Sequence, residues 1–264
     1  MPVSPADRAL AERLADAAGA AIRPLFRAAY AQELKADRSP VTEADRAAEA
    51  AMRRLLDAEA PGDGVIGEEY GEKPGVTGRR WVLDPIDGTR SFTAGRAIFG
   101  TLIALLEDDW PVLGVIDQPI QRERWLGVAG RPTTFNGAVV RTRACATLDG
   151  ALLATTSPHL FRGDEVEAYM RLAAAVAGDD LGQGPVYGGD CYNYGLVASG
   201  CLDVVCEAGL KLHDFAALVP VVEGAGGRMC DWAGDPLSAA SRGQVLAIGD
   251  PARVDDVLKA LAGE

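Results

Sequence analysis

From Ser4-Pro5 onward, Leu10, Leu14, Ala17, Ala18, Ala21, Ile22, Leu25 and Phe26 recur at helical spacing, which predicts an N-terminal helix with one apolar stripe, kinked late by Pro24. Residues 35–41 are charged and contain Ser39-Pro40, the pattern of an exposed loop. A second stripe, Ala44, Ala47, Ala48, Ala51, Met52, Leu55 and Leu56, predicts another helix that stops at Pro61-Gly62. The pattern then changes to short apolar runs between turns, at residues 65–66, 81–83, 101–106, 112–116 and 124–128, which predict strands of one meandering sheet. After an apolar run at 151–155 the order alternates, with helices expected near 165–177, 192–199, 214–223 and 252–261 and strands near 202–206, 228–230 and 245–248. The fold class expected is α+β with mixed α/β layers: a helix-flanked sheet in an N-terminal half, 1–145, and a smaller α/β half, 146–264, that completes it. No flexible linker separates the halves, so they are expected to pack as one body.

Composition narrows what such a fold can do. With 264 residues and 48% apolar content the chain can bury a large core. Its net charge is −12, and no run of Lys or Arg exceeds a pair, which argues against nucleic acid or an anionic membrane as partner. An anionic ligand would need bound cations to reverse the local field. The five cysteines are odd in number and contain no C-x-x-C pair, so a reduced, cytoplasmic setting is expected. No basic-then-apolar leader opens the chain, and no stretch approaches the ~20 apolar residues of a membrane span.

The most informative stretch is Trp81-Val82-Leu83-Asp84-Pro85-Ile86-Asp87-Gly88-Thr89, an apolar strand running into two aspartates around a proline. A turn there would put both carboxylates on one side of the strand end, and clustered oxygen ligands suit hard cations such as magnesium. The competing explanation is an ordinary turn with Asp84 as a strand-end acceptor. Gly67-Glu68-Glu69 also follows a short apolar run, and is either a second set of ligands or a solvated pair. Asp214 precedes an apolar helix and Asp45 follows Thr42 by three residues, so each is a metal-site candidate or a helix cap.

Together Gly67-Glu68-Glu69, Asp84-Pro85-Ile86-Asp87-Gly88-Thr89, His213-Asp214 and the following Glu223-Gly224-Ala225-Gly226-Gly227 resemble the inositol monophosphatase superfamily of lithium-sensitive sugar phosphatases, across nearly the whole chain. Gly188-Gly189-Asp190-Cys191-Tyr192 and Leu196-Val197-Ala198-Ser199-Gly200 resemble its histidinol-phosphate phosphatase branch; Thr155-Thr156-Ser157-Pro158 and Gly114–Pro119 point the same way. Three departures bear on the pocket rather than the ligands: Arg90-Ser91-Phe92 replaces the commoner threonine-asparagine-phenylalanine, His213 stands where a tryptophan usually precedes the metal aspartate, and Pro220 interrupts the next helix.

The resemblance implies an αβαβα layered sandwich of the sugar-phosphatase type, a homodimer, and a magnesium-dependent phosphomonoesterase inhibited by lithium. It implies two to three Mg2+ ions: one on Glu68, Asp84 and the Ile86 carbonyl, a second on Asp84, Asp87 and Asp214, and a weaker third leaning on Glu68. Glu68 and the Thr89 hydroxyl would take the proton of an attacking water. Asp45 and the 35–41 loop would close over the site, and the Gly88 and Thr89 amides would meet the phosphate. The substrate expected is histidinol phosphate, whose ammonium and imidazole call for acidic or polar partners; Asp190 and Glu207 are the candidates, with Asn193 in support. Asp190 has an alternative as the cap of the 192–199 helix. Competing substrates are inositol or another sugar phosphate; a 3′-phosphoadenosine phosphatase would need adenine-stacking groups that are not identifiable. A non-catalytic protein-binding module is the alternative of a different class, disfavoured because every implied ligand is present.

Overall fold

The computed structural model describes residues 3–28, 32–34, 40–177 and 184–264. The first stripe forms α1 (Pro5–Ile22), opened by a reciprocal cap in which the Asp7 amide donates to Ser4 Oγ and the Asp7 carboxylate accepts from the Ser4 amide. It ends at Ile22 rather than continuing through a kink. Pro24 has no N–H to extend the ladder, and the chain tightens into turns there, with the Leu25 and Phe26 amides sharing the Ile22 carbonyl. The expected loop at 35–41 lies outside the described residues from 35 to 39. Its end belongs to β2 (Pro40–Thr42), which pairs antiparallel with β1 (Gln32–Leu34), and α2 (Glu43–Glu59) follows directly.

The first large sheet has eight strands: β3 (Gly64–Gly67), β4 (Gly71–Lys73), β5 (Arg79–Asp87), β6 (Gly100–Glu107), β7 (Trp110–Gln118), β8 (Glu123–Val128), β9 (Arg131–Phe135) and β10 (Ala138–Val139). It is a meander from β5 to β10, with β3 added parallel to β5 and β4 at the far edge. A single turn of helix, α3 (Thr89–Thr93), connects β5 toward β6. The second sheet contains β11 (Leu153–Thr155), β12 (Val186–Tyr187), β13 (Val204–Glu207), β14 (Arg228–Cys230) and β15 (Val245–Ile248), in the order β12-β11-β13-β15-β14. Its helices are α4 (Asp164–Ala177), α5 (Tyr192–Ala198), α6 (Leu212–Phe215), α7 (Leu218–Gly224) and α8 (Val254–Ala262). The helix expected at 214–223 is thus two, because Pro220 cannot supply the amide hydrogen that would bond across the break.

Strand periodicity explains the layering. Trp81, Leu83, Ile103, Leu105, Leu113 and Val115 pack into a core with α1 and α2, while the intervening Val82, Leu102, Ala104 and Ile116 enter a second core with α5, α6 and α7. That middle core also takes Val205, Val245 and Ala247 from the second sheet, whose alternate residues Val204, Cys206, Leu246 and Ile248 face α4 and α8. The result is the five-layer αβαβα sandwich. Both sheets are buried on two faces, which is why their central strands read as continuous apolar runs. In the two large sheets, the strands that the apolar pattern does not predict, β4, β9, β10 and β12, are mostly exposed edge or near-edge segments; the β1–β2 pair is not predicted either. Among the described residues no helix is long and apolar enough to cross a membrane.

Candidate active site

Asp84 and Asp87 are not joined by a turn, as expected from the sequence, but by a bulge in a strand that runs on through Asp87. Asp84 pairs with Leu102 and Asp87 with Gly100, so two residues of β5 oppose the single Thr101 of β6. In a regular strand, residues three apart face opposite sides; one extra residue restores them to the same side. Ile86 accordingly falls into the α1/α2 core while Asp84 and Asp87 face the middle layer. Pro85 sits within the bulge, where its missing N–H does least harm, and its carbonyl accepts from Thr101 Oγ1 at 2.7 Å.

Glu68 is held by its backbone: its amide donates to the Leu83 carbonyl, extending the β3–β5 pairing by one step. The next two amides, of Glu69 and Tyr70, donate to the fully buried Glu49 carboxylate at 2.7 and 3.2 Å, and Arg53 Nε donates to the same group at 2.7 Å. This close approach requires Gly67, since a Cβ there would lie 1.9 Å from Glu49 Oε1. Asp45, also buried, stands in the first turn of α2, close enough that its charge acts on Asp84.

Asp214 is brought in by α6. One of its oxygens accepts from the Lys211 amide at 2.6 Å, a capping contact, and the other lies 3.5 Å from His213 Nε2. Carboxylate oxygens of Asp84, Asp87 and Asp214 lie within 4.8 Å of one another; an oxygen each from Glu68 and Asp84 and a nitrogen of His213 form a second group of the same span. Burial raises the Asp84 carboxyl well above its ordinary range, and the charges of Glu68, Asp87, Asp214 and Asp45 raise it further. Asp87 is likewise pushed well up, by burial first and then by Asp190 and Asp214, against the pull of the Cys191 amide that donates to its Oδ2 at 2.6 Å. Asp214 is raised by burial, with His213 opposing. Asp84 Oδ1 is buried with no hydrogen-bond partner among the described residues. Converging buried carboxylates with an unused oxygen form a donor set that fits divalent cations, which would remove both the repulsion and the orphaned acceptor.

On the other side of Asp87, Gly88 opens α3 in the left-handed region at φ 86°, and a Cβ there would also lie 2.7 Å from Asp190 Oδ2. Thr89 Oγ1 donates to the Ile86 carbonyl at 3.1 Å. Asp190 accepts from Ser91 Oγ at 3.0 Å and makes no side-chain cap on α5, whose N-terminal flank is Cys191. A cavity of about 220 Å³ is lined by Asp87, Asp190, Glu207 and Asp214, with Thr156 and Tyr194 among its other walls. Glu207 is buried, accepts from the Thr156 amide and hydroxyl at 2.9 and 2.6 Å, and has its carboxyl pushed up to about 7 chiefly by that burial. Asn193 does not line this cavity; its amide donates to the Gly188 carbonyl at 2.9 Å and braces the loop before α5.

Sequence reasoning did not single out Glu49 or Tyr194, and it named Ser91, Thr156, Cys191 and His213 only within the resemblance or its departures, without a role in the site. Glu49 precedes Arg53 by four residues, the spacing of a surface pair, which conceals that its carboxylate is spent on the Glu69 and Tyr70 amides.

A model of the inositol monophosphatase family matches residues 6–260. The chain is 47% identical over 251 residues to the bifunctional phosphatase IMPL2, chloroplastic, of Arabidopsis thaliana, covering 92% of this chain and 71% of the relative. It is 39% identical to a histidinol-phosphatase of Mycobacterium tuberculosis, over 84% of this chain and 86% of the relative. A solved structure of an inositol monophosphatase from Zymomonas mobilis superposes with a TM-score of 0.87 at 54% identity, covering 97% of each chain. The architecture that carries the acidic cluster is therefore shared with the Zymomonas mobilis structure, and the chain belongs to the inositol monophosphatase family of phosphoric monoester hydrolases.

Proposed function

We propose that this phosphatase hydrolyses histidinol phosphate with magnesium. The observation that carries the proposal is the cavity running from Asp87 and Asp214 to Asp190 and Glu207: cations at one end suit a phosphate, and buried acids at the other suit an ammonium or imidazolium. A polyol offers no positive charge to offset the desolvation of those acids. The histidinol-phosphatase name of the mycobacterial relative supports the same substrate.

In this mechanism Glu68, Asp84 and the Ile86 carbonyl would hold one magnesium ion, Asp84, Asp87 and Asp214 would hold another, and Glu68 would support a weaker third. When bound, the ions would supply positive charge for the phosphate oxygens and lower the pKa of a water. Glu68 takes, by way of the Thr89 hydroxyl, the proton of the water that displaces the alkoxide at phosphorus, a new P–O bond forming as the ester P–O bond breaks. The Gly88 and Thr89 amides donate to the phosphate. A water held by Asp214 returns a proton to the departing alkoxide, giving histidinol and inorganic phosphate. Asp45 positions the attacking water from the first turn of α2. Asp190 and Glu207 bind the cationic end, and lithium is expected to inhibit. The protein is expected to work as a homodimer in the cytoplasm.

A second reading, inositol phosphate as substrate, has support in the likeness to the inositol monophosphatase from Zymomonas mobilis. Side-by-side turnover of histidinol phosphate and inositol 1-phosphate with Mg2+ separates the two. A higher kcat/KM for histidinol phosphate is expected, and a clear preference for inositol 1-phosphate would overturn the substrate assignment.

A further inference from the structure

We propose that His213 is a nitrogen ligand to the ion shared by Glu68 and Asp84, so that this position, while still accepting Mg2+, binds Mn2+ or Zn2+ more tightly than an all-oxygen site would. Three observations carry it. One ring nitrogen of His213 falls within 4.8 Å of carboxylate oxygens of both Glu68 and Asp84, a span that small side-chain adjustments bring within reach of a single cation. The Asp84 side chain at the centre of this group is buried at 2% exposure, and its Oδ1 has no hydrogen-bond partner among the described residues. The His213 side chain is only 13% exposed, held inward on α6, whose next residue is Asp214.

The chemistry of the donors sets the consequence. Asp84, Asp87 and Asp214 offer oxygen alone, the set that a hard cation such as Mg2+ accepts. Replacing one oxygen by an imidazole nitrogen favours the later first-row divalent ions and gives Mg2+ little, since Mg2+ yields its water shell reluctantly to a neutral nitrogen. The two positions would then differ in the metal they select although they share Asp84. The inference rests on the divalent-ion site proposed for this chain, and adds to it a ligand and a metal preference.

Mn2+ is the probe, bound to the full chain after removal of divalent ions. Pulsed electron paramagnetic resonance of the wild-type protein is expected to detect 14N coupling from a directly bound imidazole. In His213→Phe that coupling disappears, Mn2+ affinity measured by calorimetry falls by about 10-fold or more, and Mg2+ affinity stays within about 3-fold. His213→Gln, which returns an oxygen donor, keeps Mg2+ binding without the nitrogen signal. Mn2+ uptake by the wild type with no 14N coupling would overturn the role of His213 while leaving the carboxylate site standing. Equal losses of Mn2+ and Mg2+ in His213→Phe would overturn the metal preference. Failure of the wild type to take up either ion would overturn the underlying site as well.

Discussion

The two sheets build one acidic site by different means. The first supplies Asp84 and Asp87 from a single strand, three residues apart, and a bulge turns them to the same side. The second supplies Glu207 at the end of β13, while Asp214 and Asp190 come from short segments between its elements, Asp214 held by the nearby Lys211 amide and Asp190 by the distant Ser91 hydroxyl on α3. Asp84, Asp87 and Asp214 form one end, a crowded cluster of like charges; Asp190 and Glu207 form the other, each accepting from a hydroxyl, of Ser91 and Thr156. A cluster that needs cations and a wall that needs a cationic ligand are distinct demands, so substitutions at the two ends should have different signatures.

The largest effect is expected at the shared carboxylate. Asp84→Asn should lower kcat by at least about 10³-fold, the scale on which a lost preorganised electrostatic group acts, while circular dichroism and the thermal midpoint without added metal stay at or above those of the parent. Unchanged turnover would remove the metal mechanism. Glu49→Gln touches no substrate but loosens the grip on the Glu69 and Tyr70 amides beside Glu68. A loss in kcat of about 10–100-fold is expected, as for other groups that orient a metal ligand, with weaker Mg2+ binding measured by calorimetry.

At the other end the signature moves to KM. Asp190→Asn and Glu207→Gln should each raise KM for histidinol phosphate about 10-fold, worth about 1.4 kcal/mol, and leave that for inositol 1-phosphate nearly as it was. Equal rises for both substrates would mean that these acids shape the pocket without recognising charge. Glu207 adds a pH test. Its carboxyl, raised to about 7, is neutral below that value and ionised above it, so KM for the cationic substrate should fall between pH 6 and 8 in the parent and lose that dependence in Glu207→Gln.

The smallest effects are on stability. Asp84, Asp87 and Asp214 have folded-state values raised above those of the unfolded chain, so between the two the native state holds more protons and stability falls as pH rises. The metal-free protein should melt higher at pH 5.5 than at pH 8, and Mg2+ should reverse the order by binding the ionised cluster. A metal-free midpoint that climbs with pH would contradict the crowding of these acids. Tyr194→Phe removes a buried hydroxyl that has no partner among the described residues and should raise the thermal midpoint by a few degrees.

Much of this molecule was legible before its structure. Two periodicities, 3.6 and 2, located the long helices and the central strands, because those elements bury whole faces and the burial is written in residue type. The proline between two aspartates marked the strand end that matters, and the resemblance carried by Glu68, Asp84, Asp87 and Asp214 led to the family. The exposed strands β4, β9, β10 and β12 left no such trace, since little apolar surface distinguishes them from loops.

Only the tertiary structure decided how the pieces meet. A bulge, not a turn, aligns Asp84 with Asp87, since register depends on the partner strand, which no local pattern contains. Asp190 turns toward Ser91 rather than capping its helix, Asn193 is taken by the Gly188 carbonyl, and Glu49 grips the backbone beside Glu68 from 20 residues away. Periodicity records which side of an element is buried; it does not record what that side will face, and hydrogen bonds between distant segments are set by that encounter alone.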